Sequence, residues 1–303
     1  MMNYEEFVNS ICEKLGDVLP EKYRGAKITV QQVDKLQGDS YLGVAVLPEG
    51  ECVATTYDVS KAYEYLCAGA SFEEVLRDMA DAVAHGSECA PKLDAEDLLD
   101  YETVKKSLMV QLVSTDSNRE MLLNVPHTEY EDMSLVYRIA AFTENGAVTG
   151  SCLVNNNMLK MYGITVEQLH KDALENASVQ FPATIRPMRE VIAEMMGISK
   201  DEAPVGDTLY VLTCNGGVIG SGCLFYPDMF EMIADTVLGN YYILPSSIHE
   251  VLILLDDGSM PPTVLERMVR EINSAEVQPC DRLTDSVYYY DCMEREFYKV
   301  HID

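Results

Sequence analysis

The first ninety residues alternate between helical and strand patterns. Apolar side chains recur at helical spacing over residues 3–16 and predict an amphipathic helix. Runs with strand composition at 27–33 and 41–47 predict two strands. Two further helices are expected over 59–67 and 71–84, and the second starts with the Ser-x-x-Glu pattern of a capping box. This part of the chain therefore predicts a small sheet with helices.

One arrangement of elements recurs along the chain. A strand, a tight turn, a second strand and a helix are expected around Pro48-Glu49-Gly50, around Asn145-Gly146 and around Asn215-Gly216-Gly217. In the third copy, the return strand is predicted over 218–225. Repeated units of this kind predict an α+β fold, in which antiparallel sheets are covered by helices on one face.

The chain divides most readily just after residue 90. Residues 85–100 are polar and contain one Gly, one Pro and five acids, a composition typical of a linker. We therefore predict an N-terminal α+β region over 1–90 and a linker or loop over 91–106. A C-terminal α+β region over 107–303 would hold the two further hairpin–helix units.

Acidic side chains far outnumber basic ones. The chain has 50 Asp and Glu against 22 Lys and Arg, and its formal net charge is −28 at pH 7. The excess is regional, since residues 201–266 contain ten acids and no Lys or Arg, whereas 151–200 contain five of each. Such charge repels nucleic acid phosphates and anionic membranes and attracts cationic partners. It argues against direct binding to nucleic acid or membrane and favours a basic protein partner, with simple solubility as the alternative explanation of the charge.

Targeting and cysteine patterns give two further expectations. The start, Met1–Phe7, lacks the basic and apolar parts of a secretory signal, and no apolar run approaches the roughly 18 residues that cross a bilayer. We therefore expect a cytoplasmic protein. The nine cysteines include no Cys-x-x-Cys pair, and a disulfide framework would leave one thiol over. No metal site and no cofactor is predicted.

Four segments carry a family resemblance. They are Asn124-Val125-Pro126-His127 followed by Asp132-Met133, the run Tyr242–Val251, the run Met268–Asn273, and Tyr288–Asp291. In these segments, and over nearly the whole chain, the sequence resembles a bacterial family common in gut anaerobes, the domain of unknown function 5688. The second segment is the most distinctive. The resemblance implies a family but no activity.

Candidate catalytic residues lie within that distinctive segment, at Ser246, Ser247, His249 and Glu250. If 251–255 is a strand, side chains alternate between its faces, so Ser247 and His249 share one face. A serine and a histidine on one face suit a nucleophile and its base, given an orienting carboxylate from elsewhere. The structural alternative is commoner for such spacing: the serines of a turn bond backbone groups, and the imidazole caps a strand or packs in the core.

Two other segments have the composition of a site. Residues 215–222 hold four glycines, but they lack the Lys-Ser/Thr end of a P-loop and the spacing of Gly-x-Gly-x-x-Gly, so a hairpin turn is favoured. A second cluster offers oxygen and nitrogen ligands for a divalent cation at His127, Glu129, Glu131 and Asp132. More often, such a cluster is a solvated loop beside a strand.

Three functions remain open at this point. The first is a non-enzymatic protein that binds a basic protein through an acidic surface, because the charge is regional and no catalytic template matches. The alternative is a hydrolase-like enzyme that uses Ser247 and His249, although Gly-x-Ser-x-Gly and His-Glu-x-x-His are both absent. A third interpretation is a DNA mimic, in which carboxylates take the positions of phosphates.

Overall fold

The computed structural model describes residues 2–51, 54–89, 95–142, 148–214, 219–245 and 247–301. The chain forms two compact units. Unit 1 consists of Met1–Leu98 and Ala141–Gly150, and unit 2 consists of Leu99–Ala140 and Ser151–Asp303. The region boundaries that the sequence suggested near residues 90 and 107 remain a prediction.

Unit 1 is built from a three-stranded antiparallel sheet and three long helices. Its elements are α1 (Tyr4–Val18), β1 (Lys27–Lys35), β2 (Gly38–Leu47), β3 (Thr55–Asp58), α2 (Val59–Cys67) and α3 (Phe72–Cys89). The strand order is β1-β2-β3. The predicted capping box at the start of α3 is confirmed, because Ser71 and Glu74 each accept a hydrogen bond from the other's backbone N–H.

The core of unit 1 is an apolar layer between the helices and the sheet. Its fully or almost fully buried side chains follow helical spacing on two helices, with Phe7, Ile11 and Leu15 on α1 and Val75, Met79 and Val83 on α3, and they include Val44 and Val46 on β2. Each buried side chain of this size stabilises the fold by about 1.5–3 kcal/mol relative to exposure. The three helices also pack against one another.

The chain then continues through two antiparallel sheets and their helices. These elements are α4 (Ala95–Leu99), α5 (Tyr101–Val104), β4 (Leu108–Ser114), α6 (Arg119–Leu122), β5 (His127–Tyr130), β6 (Met133–Phe142), β7 (Val148–Leu153), α7 (Asn156–Tyr162), α8 (Val166–Gln180), β8 (Ala183–Pro187), α9 (Met188–Met196), β9 (Leu209–Cys214), α10 (Met229–Val237), β10 (Tyr241–Leu244), β11 (Val251–Leu255), α11 (Pro262–Ala275), β12 (Tyr288–Asp291) and β13 (Glu296–Lys299). One sheet has the order β4-β6-β5, with β7 on β6, and the other has the order β13-β12-β10-β11-β9-β8.

The α+β class, with antiparallel sheets and helices, is confirmed, but the repeat is not. Two of the three repeat turns, Asn145-Gly146 and Asn215-Gly216-Gly217, lie outside the described residues. In the third copy, the return strand predicted over 218–225 is wrong, because Gly220–Phe225 forms a 3-10 helix there. Residues 91–106, predicted as a linker or loop, contain the short helices α4 and α5.

Close backbone packing explains the 3-10 helix. A Cβ atom on Gly220 would overlap the hydroxyl of Thr213 and the carbonyl oxygen of His249. The neighbouring Ser221 donates both its backbone N–H and its hydroxyl to the carbonyl oxygen of Ile248, at 3.1 and 2.8 Å. Glycine is poor in strand interiors but permits this approach. Residues 220–221 therefore pack against the β10–β11 connection and bond to it, and they do not pair as a strand.

We expect Gly220→Ala to lower the free energy of unfolding by about 2–3 kcal/mol, since overpacking a tight site costs an amount of this order. Urea unfolding followed by circular dichroism measures the change. Gly206→Ala is the matched control, because the nearest atom to its Cβ position is 4.0 Å away. Equal stability of the two variants would contradict the role assigned to Gly220.

Candidate functional site

The predicted catalytic segment connects two neighbouring strands of unit 2. Strand β10 ends at Leu244 and β11 starts at Val251, and the two strands pair antiparallel. Ser246 lies outside the described residues. Glu250 is exposed at the start of β11. A catalytic role for these residues remains a prediction. The contacts of Ser247 and His249 show which chemical roles are open to them.

Ser247 is engaged by backbone groups. Its hydroxyl accepts a hydrogen bond of 3.1 Å from the backbone N–H of His249, and the residue forms an isolated antiparallel bridge with Arg282. The next residue, Ile248, donates its backbone N–H to the carbonyl oxygen of Asp281 at 2.9 Å. These contacts tie the β10–β11 connection to the segment 279–285. They are the contacts expected of a structural turn.

His249 lies beside a carboxylate from elsewhere in the chain. Its Nε2 atom is 3.5 Å from Oδ1 of Asp281, and its side chain is 40% exposed. Its backbone carbonyl accepts a hydrogen bond of 2.9 Å from the hydroxyl of Thr213. A histidine held by a carboxylate suits a general base, provided that a nucleophile reaches its other nitrogen. The hydrolase hypothesis requires a carboxylate from another part of the chain to orient His249, and Asp281 is in a position to do so. The sequence analysis did not identify Asp281.

A polar cleft of about 410 Å³ is formed in part by the same segment 279–285. Its lining residues are Ser114, Asp116, Ser117, Asp132, Pro279, Arg282, Leu283, Thr284 and Asp285. Two of the carboxylates are neutralised within the protein, since Asp116 pairs with Arg119 and Asp132 with Lys299. The third, Asp285, lies 4.0 Å from Arg270, which pairs more closely with Glu266. The cleft therefore presents hydroxyls beside mostly paired charges.

Asp132 is the most heavily bonded carboxylate of the cleft. It accepts hydrogen bonds from the hydroxyls of Thr284, Ser286 and Tyr288 and from the ammonium group of Lys299, at 2.8 Å for Ser286 and for Lys299. Burial alone would raise the pKa of Asp132, but the bonds from Lys299, Tyr288 and Ser286 outweigh it and hold the pKa below its ordinary value. The carboxylate thereby joins the β5–β6 turn to the β12–β13 hairpin.

The second candidate cluster does not gather around a common point. His127 lies on β5 with its Nδ1 atom 3.0 Å from the carbonyl oxygen of Val125, and its Nε2 atom is 3.6 Å from Glu129. Asp132 is held by Lys299 instead. Within the described ranges, no group of three or more His, Cys, Asp or Glu side chains is placed to hold a metal ion.

Comparison of the sequence with models of known protein families shows the family to which the chain belongs. A family model described as a family of unknown function, DUF5688, matches residues 4–292. The chain belongs to the DUF5688 family. No curated protein and no solved structure matches this DUF5688 member. Across the part of the chain that the structure describes, no helix has both the length and the apolar character needed to span a membrane.

We expect Asp132→Asn to lower the free energy of unfolding at pH 7 by about 1–3 kcal/mol, the magnitude of hydrogen bonds to a charged group. The folded pKa of Asp132 is depressed, so its contribution is present above the unfolded pKa of about 3.9 and is lost as pH falls through the folded value. The difference between wild type and variant, measured by urea unfolding, should therefore shrink below about pH 4.

Asp116→Asn is the control for this measurement, because Asp116 is 70% exposed and pairs with the exposed Arg119. A surface pair of this kind contributes about 0–1 kcal/mol. If Asp132→Asn proved no more destabilising than Asp116→Asn at pH 7, the bonding assigned to Asp132 would be wrong.

Proposed function

We propose that this DUF5688 protein acts without catalysis and binds a basic protein through the outer faces of α1, α2 and α3 in unit 1. The observation that carries the proposal is the charge of these faces. Among the side chains whose exposure the structure describes, they carry nine exposed acids, Glu5, Glu6, Glu13, Asp17, Glu64, Glu73, Glu74, Asp78 and Asp81, against three exposed bases, Lys14, Lys61 and Arg77. We call this set of acids the acidic helical face.

Packing explains why the acids lie together. The apolar stripes of the three helices are buried in the core of unit 1, so the charged residues described above are left exposed to solvent. The three helices also contact one another, so these exposed residues belong to one group of packed helices. A surface of one sign accelerates encounter with an oppositely charged partner and helps select it.

An exposed aromatic side chain supports a protein partner over simple solubility. Tyr65 follows Glu64 on α2 and is 48% exposed. Tyrosine is enriched at the energetic centres of protein interfaces, because its ring offers apolar area and its hydroxyl a hydrogen bond. Solubility alone requires charge but no aromatic residue beside it. The DNA-mimic interpretation remains a prediction. If it is right, the basic partner is a DNA-binding protein.

Reversing two charges of the acidic helical face should weaken capture of a basic protein from a lysate of the source cell. We expect Glu64→Lys with Asp81→Lys to reduce the captured amount about tenfold at about 50 mM salt, where attraction between surface charges is weakly screened. Capture by wild type should also fall when salt rises to about 0.5 M, where the screening length is only a few ångströms.

The matched control reverses two exposed acids of unit 2, by Glu120→Lys with Glu175→Lys. It changes the net charge by the same amount but leaves the acidic helical face intact. Equal loss of capture in the two double variants would show that only net charge matters. Capture that is independent of salt in wild type would contradict an electrostatic docking surface.

A hydrolase-like activity is the second candidate, because Asp281 lies 3.5 Å from the imidazole of His249. The hydrogen bond that the Ser247 hydroxyl accepts from the His249 backbone weighs against it. Under our proposal, we expect no hydrolysis of an activated ester such as p-nitrophenyl acetate above the level of a His249→Asn variant. A general base contributes about 10²–10⁴-fold to rate, so turnover that falls by this factor in His249→Asn but not in Asp285→Asn would overturn the non-catalytic proposal.

A further inference from the structure

An apolar groove of about 270 Å³ lies along α11 in unit 2. Nearly all of its lining side chains are aliphatic or methionine: Val205, Gly206, Thr208, Leu209, Leu244, Leu252, Leu254, Met260, Leu265, Met268, Val269 and Ile272. The floor comes from strands β9, β10 and β11, and one wall comes from α11. The segment that precedes β9 also contributes to the lining.

Helix α11 has two apolar stripes. Leu265 and Val269 are buried against the sheet. Met268 and Ile272 are 39% and 40% exposed, and both line the groove. Positions 268 and 272 are four residues apart, so their side chains lie on the same face of α11. This half-exposed pair is the part of α11 that a second helix would cover.

The groove has the composition of a helix-binding surface. In helix-in-groove recognition, an amphipathic helix lays its apolar face into a hydrophobic groove, with anchors at i, i+3, i+4 and i+7. Met260 and Met268 suit such a surface, because the unbranched thioether side chain adapts to the shape of its partner.

Charge determines which helix fits. The segment before β9 and the end of β11 carry Asp207, Asp256 and Asp257, of which Asp207 pairs with Arg189, and no Lys or Arg occurs between residues 201 and 266. The charges of α11 balance one another, since Arg270 pairs with Glu266 at 3.2 Å and Arg267 is followed four residues later by Glu271. The net charge around the groove is therefore negative.

We propose that this groove binds an amphipathic helix of a partner protein, with an apolar face toward α11 and a basic polar face. A second copy of this chain is a poor occupant, because each copy carries a net charge of −28. The inference rests on the proposed function in taking the partner as basic, but it uses a surface separate from the acidic helical face. The partner would thus present a helix as well as positive charge.

Three synthetic peptides of about 18 residues, long enough to form helix, test the inference. The first has leucines at i, i+3, i+4 and i+7 and lysines elsewhere, the second replaces every lysine with glutamate, and the third is the first in shuffled order without an apolar face. Fluorescence anisotropy of labelled peptide with the full chain gives the Kd. We expect the first peptide to bind at least about tenfold more tightly than the other two.

Two substitutions locate the binding. Met268→Asp places a charge in the groove and should weaken the first peptide about tenfold, whereas Met293→Asp, at an 88% exposed methionine between β12 and β13, should change its Kd less than about twofold. Both add the same charge, so only the loss of the groove distinguishes them. Met268→Gln, which adds no charge, should weaken the peptide in the same direction if Met268→Asp lowers the melting temperature.

Each other outcome overturns the inference in a recognisable way. Equal binding of the basic and shuffled peptides, with no effect of Met268→Asp, would mean that charge alone binds them; the groove would then be excluded while the proposed function stands. Binding of none of the peptides would exclude the groove as a site for basic helices. The proposed function has its own test. It would fail if the Glu64/Asp81 and Glu120/Glu175 double variants captured the basic protein equally well.

Discussion

Burial of one apolar stripe per helix on an antiparallel sheet is the interaction on which the rest of the structure depends. In unit 1, side chains such as Phe7, Ile11 and Met79 are fully buried, and each contributes about 1.5–3 kcal/mol. Repulsion between exposed like charges one helical turn apart costs only about 0.2–0.5 kcal/mol per pair. The fold therefore tolerates an acidic outer face, and that face is free to serve binding.

The same constraint gives unit 2 a different surface. Strands β10 and β11 bury Ile243 and Ile253 completely on one face of their sheet, while α11 covers Leu244 and Leu254 on the other. One helix, about 10–12 Å across, spans only about two strands at 4.8 Å spacing. The six-stranded sheet is wider than that, so an apolar groove beside α11 is a natural consequence of the architecture.

The most distinctive part of the sequence, Tyr242–Val251, has a clear structural function whatever else it does. Its first residues form β10, and its turn is bonded to Asp281, Thr213 and Ser221 by backbone carbonyl and N–H groups. These contacts bring a histidine and a carboxylate together at the rim of the sheet. They hold the turn in place through its backbone, whatever its side chains do.

Sequence patterns were informative where structure is local and failed where it is not. The helices and strands of unit 1 and the capping box at Ser71 follow from spacing within a few residues. The return strand over 218–225 was wrong because Gly220 packs against Thr213 and His249, contacts that no local pattern reveals. The bond between Asp132 and Lys299 joins residues 167 positions apart, so only the folded chain shows it.

Zero-length cross-linking tests the central claim most directly. A carbodiimide joins carboxylates of this chain to lysines of the basic protein captured at low salt, and mass spectrometry then identifies the linked residues. The account predicts links on α2 and α3, at Glu64, Glu73 and Asp81. Links spread evenly over the exposed acids of the chain, or concentrated at Glu120 and Glu175, would contradict it.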